Sequence, residues 1–148
     1  MLKVIECLDI ELIGRLRQAF LARPMDGRDN FSWQALLTDD GRPAGTGRFY
    51  RRGEDLVIDC VAVEPSAPPQ YYDLLFRTLL FKAVSLPAAR ICAAEERTDG
   101  FYAAFGFQKK GSEWAVLPKD VVFPSSCKDC PAPCKERQSG PAPEGENR

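Results

Sequence analysis

The hydrophobic and polar positions of the chain change period several times, and each period predicts one kind of element. Residues 2–7 alternate weakly between apolar and polar side chains, which predicts a first strand. Residues 10–22 carry an apolar stripe at intervals of three and four, which predicts an amphipathic helix, and Asp9 before it is a good N-cap. The polar stretch 23–30 contains proline and glycine and predicts a loop.

Three apolar stretches follow with turn residues between them, at 31–38, 43–51 and 55–63. Stretches of this length joined by tight turns predict an antiparallel meander of three strands. The third stretch is almost continuously apolar, as in a strand buried on both faces, except for the acidic Asp59. Simple alternation puts Asp59 on one face of that strand together with three valines, namely Val57, Val61 and Val63.

The second half of the chain begins with a proline-rich loop and a second helix. Pro65, Pro68 and Pro69 fix the backbone and remove amide donors, so the chain must turn there. A helical period then covers residues 71–84. A helix N-terminus after a tight loop is a common anion site, because its free amides and its dipole converge on one place.

The remaining predicted elements are short. Residues 89–94 form an apolar strand, which the strand-helix-strand order makes parallel to residues 55–63. A short helix capped by Thr98 or Asp99 and ended by Gly106 comes next. Further strand material lies at 107–110, 114–117 and 121–123. The predicted fold class is α/β, with a mixed but mostly antiparallel sheet and helices on both faces.

Composition and charge limit the function. The chain of 148 residues predicts one domain over residues 1–123 and a flexible tail over 124–148, where composition changes abruptly and nothing can form a core. A net charge of −1 argues against nucleic acid as a partner. The sequence shows neither a signal peptide nor an apolar window of about 20 residues, so we expect a cytoplasmic protein without a membrane partner. Histidine is absent, which excludes Ser-His and Cys-His catalysis.

The six cysteines fall into two groups. Three lie in apolar strand-like stretches, where reduced core thiols are expected: Cys7, Cys60 and Cys92. Three weak candidates for metal ligands lie in the tail: Cys127, Cys130 and Cys134. A closed zinc site needs a fourth ligand, and the chain has no histidine to supply it. A metal-binding tail, a redox-active tail and a tail without either role all stay open.

Three motifs in the predicted element order resemble the Gcn5-related N-acetyltransferases (GNATs) over residues 1–123. They are Asp40-Gly-Arg-Pro-Ala-Gly45, Cys60-Val-Ala-Val-Glu-Pro65 and Gly100-Phe-Tyr-Ala-Ala-Phe-Gly-Phe107. The last is the most specific, because the family pattern Tyr-x-x-x-Gly-Phe is a helix whose tyrosine lies beside the thioester sulfur as a general acid. The resemblance therefore implies an acyl-CoA N-acyltransferase fold with Tyr102 as this acid.

One feature of the family is missing from this chain. The family carries Arg/Gln-x-x-Gly-x-Gly or -Ala after the buried strand, and the backbone amides there wrap the CoA pyrophosphate. These positions fall on Pro68, Tyr71 and Asp73, so the basic residue and both glycines are absent. Proline donates no amide hydrogen, and the two larger side chains occupy space that the phosphates need. We therefore expect acyl-CoA to bind weakly for this fold.

The resemblance also implies which residues contact acetyl-CoA and which remove the amine proton. The cosubstrate would lie where the buried strand diverges from its parallel neighbour. The implied contacts are Val61, Ala62, Val63, Ser66, Gln70, Tyr71, Tyr72 and Phe105. The proton acceptor would be Asp59 or a water chain that ends at Glu95. Two other interpretations stay open: Asp59 can pair with an arginine such as Arg48, and Tyr102 can be a core aromatic.

The predicted function is transfer of an acetyl group from acetyl-CoA to a small amine or a protein amine. Glu64, Glu95 and Glu96 would attract a cationic acceptor, although charges at strand ends are usually solvated. Two alternatives come from other classes. One is a non-catalytic ligand-binding or interaction module with this fold, and the other is a metal- or redox-responsive protein that works through its cysteine tail. The sequence is compatible with a monomer or a homodimer.

Overall fold

The computed structural model describes residues 1–125, in which seven strands form one sheet in the order β1–β2–β3–β4–β5–β7–β6. In chain order the strands are β1 (Leu2–Glu6), β2 (Ser32–Asp39), β3 (Arg42–Arg52), β4 (Asp55–Val63), β5 (Arg90–Ala94), β6 (Gln108–Lys110) and β7 (Glu113–Val116). The α-helices are α1 (Ile10–Leu21) and α2 (Pro69–Val84). Short 3₁₀-helices cover Gly27–Phe31, Tyr102–Phe105 and Pro118–Asp120. No helix in this part of the chain is long and apolar enough to span a membrane.

The sheet is antiparallel except at one pair of strands, as the sequence predicts. β2 and β3 form a hairpin closed by Asp40 and Gly41, whose φ values of 51° and 83° match the twist of the strands. β4 and β5 are parallel, and their pairing ends at Ile58 and Ala93. Beyond this pair the two strands diverge. Residues 59–63 of β4 therefore border a gap on this side, which we call the β4–β5 wedge.

The two α-helices cover opposite faces of the sheet. α2 packs Leu75 and Leu79 onto β3, where glycines let the helix approach: a Cβ atom at Gly47 would lie 2.8 Å from Cδ1 of Leu79. Arg48 follows Gly47 on the strand, so its side chain points to the opposite face. α1 covers that face and buries Arg17 there. The apolar core thus lies under α2, and buried charges lie under α1.

A β-bulge in β4 changes which of its side chains share a face. One residue of β3 lies opposite two residues of β4, Cys60 and Val61, and Cys60 has a left-handed backbone with a φ of 52°. The extra residue shifts the alternation, so Asp59 stays on the α1 face whereas Val61 joins the core under α2. The predicted sharing of one face by Asp59, Val61 and Val63 is therefore wrong, because alternation assumes a strand without a bulge.

The segments after β5 differ in detail from the prediction. The helix predicted from Thr98 or Asp99 is a 3₁₀-helix that begins only at Tyr102, and Gly106 ends it with a φ of 94°. Residues 121–123 are not a strand. They follow an irregular path in which the N–H of Val122 donates to the carbonyl oxygen of Phe105 at 3.0 Å. The sheet therefore ends at the edge strand β6, and residues 121–123 add no further strand to it.

Candidate active site

The carboxylate of Glu96, which follows β5, lies in the β4–β5 wedge. The N–H of Cys60 donates to Oε2 of Glu96 at 2.7 Å, and the N–H of Val61 donates to Oε1 at 3.2 Å. Both amides point into the wedge because the left-handed backbone of Cys60 turns them to the same side. Two neighbouring amides arranged in this way form a binding site for a negatively charged oxygen.

Two tyrosines lie next to this carboxylate. The hydroxyl of Tyr102 accepts a hydrogen bond from the N–H of Glu96 at 3.0 Å and lies 3.1 Å from the hydroxyl of Tyr72. The Tyr72 hydroxyl in turn lies 3.5 Å from Oε1 of Glu96. Tyr102 begins the 3₁₀-helix after β5, and Tyr72 lies near the start of α2. Separate elements thus bring a carboxylate and two phenols together.

Burial sets the protonation state of these three groups. The Glu96 side chain is 12% exposed, and burial raises the pKa of its carboxyl to about 7 although two amide N–H groups stabilise the charged form. Burial also raises the pKa of Tyr72 and of Tyr102, so both phenols keep their protons at neutral pH. Glu96 can therefore accept a proton near neutral pH, and Tyr102 can donate one.

Arginines lie at the border of this group of residues. Nη1 of Arg23 lies 3.7 Å from Oε2 of Glu96, and the Arg23 side chain is half exposed. The guanidinium of Arg97 lies over the rings of Tyr72 and Phe101, at 5.1 and 4.9 Å from their centroids. The buried carboxylate therefore has positive charge near it, although its hydrogen bonds come from neutral donors, namely two backbone amides and the Tyr72 hydroxyl.

Asp59 is held in an ion pair with Arg48, which is the alternative to a catalytic role that the sequence leaves open. Nε of Arg48 donates to Oδ1 of Asp59 at 2.6 Å, and Nη2 donates to Oδ2 at 3.1 Å. Both side chains are buried, with Arg48 at 0% and Asp59 at 6% exposure. Both carboxylate oxygens of Asp59 therefore bind a permanent cation and are not available to a substrate amine. Its surroundings favour a structural role.

This pair belongs to a larger network of buried charges on the α1 face. Arg48 also donates to both carboxylate oxygens of Asp26, and its Nη1 lies 2.9 Å from Oδ1 of Asp29. Asp29 accepts hydrogen bonds from Nη1 and Nη2 of Arg17, at 2.9 and 2.7 Å, and from Nε2 of Gln34. The network links α1, the loop after it and three strands, and it thereby fixes that loop beside the wedge.

Glu95 points to β6 and β7 rather than to β4. Its Oε2 accepts a hydrogen bond from Nε1 of Trp114 at 3.0 Å, and its Oε1 lies 3.1 Å from Nζ of Lys109. These two donors lower the pKa of the Glu95 carboxyl. A carboxyl group that is stabilised in its charged form is a weaker base, so the geometry favours the adjacent Glu96 over the predicted Glu95.

The residues predicted to contact acetyl-CoA divide between the wedge and the core. On β4, the residues that border the wedge are Val61, Ala62 and Val63. Ser66, in the loop that follows, and Gln70, in the first turn of α2, are exposed. Tyr71 and Phe105 point into the core. The hydroxyl of Tyr71 donates to Asp39 of β2, and the ring of Phe105 packs 5.2 Å from that of Phe76. The predicted contacts of Tyr71 and Phe105 are therefore not supported by their positions. The eighth residue, Tyr72, reaches the wedge.

The start of α2 offers few donors to a phosphate. Pro68 and Pro69 carry no N–H, and the N–H of Tyr71 donates to the carbonyl oxygen of Pro68 at 3.0 Å. Of the first three residues of α2, only Gln70 then has an amide that the helix does not bond. Asp73 binds Nε of Arg77 at 2.6 Å within the same helix. These contacts agree with the predicted loss of the pyrophosphate loop.

Glu96 is the site residue that the sequence did not single out. The sequence presents Glu96, like Glu64 and Glu95, as a charge at a strand end, where side chains are usually solvated. The available signal was its position after the strand that pairs in parallel with β4. In the family fold implied by the motifs, that strand end borders the place where the cosubstrate lies.

The cysteines of the described part of the chain show no sign of metal chemistry. Within residues 1–125, no three acidic or cysteine side chains are arranged to hold a metal ion. The tail candidates Cys127, Cys130 and Cys134 lie outside the described residues. The core cysteines are free and buried, as predicted, and burial raises the pKa of Cys60 to about 11. Cys60 is therefore not a thiolate nucleophile at neutral pH.

Comparison with known proteins identifies the architecture. Neither a protein-family model nor a curated protein matches the sequence. The ribosomal-protein-S18-alanine N-acetyltransferase of Escherichia coli matches the structure with a TM-score of 0.65 at 13% identity, over 84% of this chain and 97% of that one. A GNAT-family acetyltransferase of Brucella melitensis, in complex with acetyl-CoA, gives 0.61 at 14% identity, over 79% and 88% of the two chains. N-acetylglutamate synthase of Neisseria gonorrhoeae, complexed with coenzyme A and N-acetyl-glutamate, gives 0.60 at 23% identity, over 75% of this chain and 29% of that one.

The chain has the fold of the Gcn5-related N-acetyltransferases, as its three motifs implied. The matches cover most of the described residues, and the first two also span nearly the full length of the other chain. Their low sequence identities relate the architecture of these proteins and leave the substrate of this chain to be argued from its own site.

Proposed function

We propose that this chain transfers an acetyl group from acetyl-CoA to an amine, with Glu96 as the general base and Tyr102 as the general acid. The proposal rests on one observation. In the β4–β5 wedge of a GNAT fold, the buried carboxyl of Glu96 lies beside the phenol of Tyr102, whose oxygen accepts from the backbone N–H of Glu96 at 3.0 Å. Burial raises the pKa of both groups, that of Glu96 to about 7. Asp59 and Glu95 are held by cations and leave this role to Glu96.

The proposed reaction needs no covalent enzyme intermediate. The amine nitrogen attacks the thioester carbonyl, Glu96 accepts a proton from the amine, and Tyr102 donates its proton to the departing thiolate. The amides of Cys60 and Val61 can stabilise the negative oxygen that forms on the carbonyl. Glu96 holds both amides in the free chain, so the carbonyl has to replace one carboxylate oxygen. The bond from Val61, at 3.2 Å, is the longer of the two and the easier one to exchange.

Acetyl-CoA is the expected cosubstrate, bound weakly for this fold. The start of α2 gives the phosphates one unbonded amide in its first three residues, and the basic residue of the family loop is a proline here. Most of the affinity would then come from the pantetheine along Val61–Val63 and from the acyl end. At a concentration of 100 times Kd, one bound ligand adds about 2.7 kcal/mol to the free energy of unfolding, which is visible as a rise in Tm.

The test combines ligand binding with turnover. We expect acetyl-CoA to raise Tm, and we expect a panel of amines to include an acceptor that the chain acetylates. For this acceptor, kcat/KM should rise with pH and reach a plateau above about pH 7, where Glu96 is deprotonated. Glu96→Gln and Tyr102→Phe should each lower kcat by about 10²–10⁴-fold while acetyl-CoA still binds. Glu54→Gln, in the exposed turn between β3 and β4, is the matched control.

Two results would contradict the proposal. One is the absence of any change in Tm with acetyl-CoA at millimolar concentration. The other is turnover by Glu96→Gln or Tyr102→Phe within about threefold of the wild type, since loss of an acid or base group has a much larger effect.

A second candidate, a non-catalytic module with this fold, is favoured by one observation. The Glu96 carboxylate already accepts the hydrogen bonds of the Cys60 and Val61 amides, which an acyl-CoA would use. Removing the carboxylate separates the two candidates. If Glu96 only closes the wedge, Glu96→Ala should gain affinity for acetyl-CoA while neither the variant nor the wild type acetylates any amine.

A further inference from the structure

Glu96, Tyr72 and Tyr102 form a closed chain of hydrogen bonds whose direction follows from their donors. The oxygen of Tyr102 accepts from the N–H of Glu96 at 3.0 Å, so its own proton is free to point at Tyr72, 3.1 Å away, or at a ligand. The proton of Tyr72 can then point at Oε1 of Glu96, 3.5 Å away. Tyr72 is therefore the connection between the proposed base and the proposed acid.

The chain lies in a region that is withdrawn from solvent. Tyr102 is 1% exposed and Tyr72 is 8% exposed. The guanidinium of Arg97 covers the ring of Tyr72, and the rings of Phe76 and Phe101 pack against Tyr102 at 5.5 and 5.4 Å. Protons that these groups gain or lose during a reaction therefore exchange with water less easily than protons on exposed side chains.

Acyl transfer leaves the site in the wrong protonation state for a second cycle. Once the new C–N bond has formed and the C–S bond has broken, the amine proton is on Glu96. The proton of Tyr102 has left with the thiol, so Tyr102 is a phenolate. Before the next acetyl-CoA can react, a proton must return to Tyr102 and one must leave Glu96.

We propose that Tyr72 carries this proton back from Glu96 to Tyr102, an inference that rests on the proposed function. The O–H of Tyr72 breaks as its proton passes to the phenolate oxygen of Tyr102. The proton on Oε1 of Glu96 then passes to the oxygen of Tyr72. The result is a neutral Tyr102, a neutral Tyr72 and an ionised Glu96, with no proton gained from or lost to water in this return step.

The relative acidities of the Glu96 carboxyl and the two phenols agree with proton transfer from Glu96 to Tyr102. Burial raises the pKa of both phenols above that of an ordinary tyrosine, whereas the carboxyl of Glu96 has a pKa of about 7. A proton therefore moves downhill from the carboxyl to either phenolate. The hydroxyl of Tyr72 acts through Tyr102 and Glu96 and needs no contact with the reacting atoms, and phenylalanine at this position keeps the ring that reaches the wedge.

The first test compares the first turnover with later ones in Tyr72→Phe. We expect acetyl transfer in a single turnover to stay within about threefold of the wild type, because both reacting groups remain, while steady-state turnover falls by about tenfold or more. A burst of one product per enzyme should precede the slow phase. A non-nucleophilic buffer such as cacodylate should restore turnover as its concentration rises, because it can carry the proton instead. The matched control is Tyr50→Phe. Tyr50 is also buried, but it lies on β3 in a separate cluster with Val57 and Cys92.

The outcomes separate this inference from the proposed function. Steady-state turnover by Tyr72→Phe equal to that of the wild type would overturn the relay alone. A loss that affects the first turnover equally, and that buffer does not relieve, would show that Tyr72 only supports the structure and would also overturn the relay. Absence of turnover by the wild type with any amine would overturn the proposed function and the relay together.

A second measurement needs no activity. Tyrosine labelled with ¹³C at Cζ reports the ionisation and hydrogen bonding of each of the four tyrosines, which single Phe variants assign. We expect the signals of Tyr72 and Tyr102 to shift with a common midpoint at about pH 7, where Glu96 ionises, and to lose this shift in Glu96→Gln. A Tyr72 signal that does not respond to Glu96 would show that the connection is absent and would overturn the proposal.

Discussion

Among single residues, Glu96 is the one on which the proposed site depends, and it is buried mainly against neutral partners. Its two closest donors are the backbone amides of Cys60 and Val61, whereas Arg23 approaches no nearer than 3.7 Å. Burial therefore disfavours the charged form more than the amides stabilise it, and the pKa is raised to about 7. The same shift that makes a useful base near neutral pH makes the folded protein less stable when the group ionises.

We therefore expect Glu96→Gln to stabilise the protein at high pH but not at low pH. The carboxyl has a pKa of about 7 in the folded chain and an ordinary value of 4.5, so the folded state binds more protons between these two values. Its contribution to stability is fully present below the ordinary pKa and is lost as the pH rises through about 7. Glutamine does not ionise, but its single side-chain oxygen replaces only one of the two oxygens that accept from Cys60 and Val61. The substitution therefore also carries a cost that does not depend on pH.

Urea unfolding in acid and in mild base measures this effect. Between about pH 4 and about pH 8, the free energy of unfolding of Glu96→Gln should rise by about 3 kcal/mol relative to that of the wild type. The exposed Glu54→Gln should differ from the wild type by less than about 0.5 kcal/mol at both. A difference that does not depend on pH would contradict a raised pKa at Glu96.

The sequence predicted the buried ion pair of Asp59 with Arg48 better than it predicted the proposed catalytic carboxylate, Glu96. An acid in a buried strand needs a cation, and the alternative of an Asp59–Arg48 pair, read from the sequence, is present in the structure. Glu96 follows the end of a strand, where a charge is usually solvated. Its burial results from the divergence of β4 and β5 and from the approach of Tyr72 and Tyr102. These contacts join parts of the chain that local sequence does not relate.

Among the elements, β4 was predicted with its full extent but not with its bulge. Its apolar run defines residues 55–63 as one strand, and the structure agrees. The bulge lies at Cys60, where no glycine or proline marks it, and a left-handed φ is uncommon for a residue with a side chain. Tertiary packing imposes this conformation, so local preferences could not reveal it. The bulge is also what turns two amides into the wedge.

The packing of α2 on β3 and β4 should tolerate no additional atom at Gly45. A Cβ atom there would lie 2.9 Å from the carbonyl oxygen of Ala62 and 3.0 Å from Cγ1 of Val63. Since the first contact is with backbone of the neighbouring strand, the clash cannot be relieved by rotating a side chain. We expect Gly45→Ala to lower the free energy of unfolding by about 1–3 kcal/mol, measured by urea unfolding.

A glycine in an open position provides the control for Gly45→Ala. No atom lies within 4 Å of a Cβ built at Gly27, and its φ is not positive. Gly27→Ala should therefore change the free energy of unfolding by less than about 0.5 kcal/mol. Equal effects of the two substitutions would mean that β3 is less closely packed against β4 than the structure shows.

For the whole molecule, short motifs carried more information than overall sequence similarity. Solved structures of this fold match at 13%, 14% and 23% identity, and no family model matches the sequence. The order of strand and helix periods, together with three short motifs that follow one another in the order of the family, was nevertheless enough to predict the fold. The fold depends on apolar period and turn positions, which many sequences satisfy. The site depends on distances between distant segments, which these patterns do not specify.

The last prediction concerns how much of the chain the fold needs. Residues 126–148 lack apolar periodicity in their sequence. Residues 121–123, in contrast, contact the core. The N–H of Val122 bonds to Phe105 at 3.0 Å, and the ring of Phe123 packs against those of Phe81 and Phe105. We expect a chain that ends at Ser125 to unfold at the same urea concentration as the full chain. A chain that ends at Asp120 should lose about 1–2 kcal/mol, because one backbone hydrogen bond to the core residue Phe105 and the aromatic contacts are removed.

Adding a metal chelator to both chains extends this comparison to the tail cysteines. If Cys127, Cys130 and Cys134 bound zinc together with a core thiol, the energy of metal binding would contribute to the stability of the full chain. A chelator would then lower the Tm of the full chain and leave that of the chain ending at Ser125 unchanged. With only three tail thiols and no histidine in 148 residues, we expect no difference between the two. Stoichiometric zinc in protein purified without added metal, accompanied by a chelator-induced fall in Tm, would contradict this expectation and make the tail a metal site.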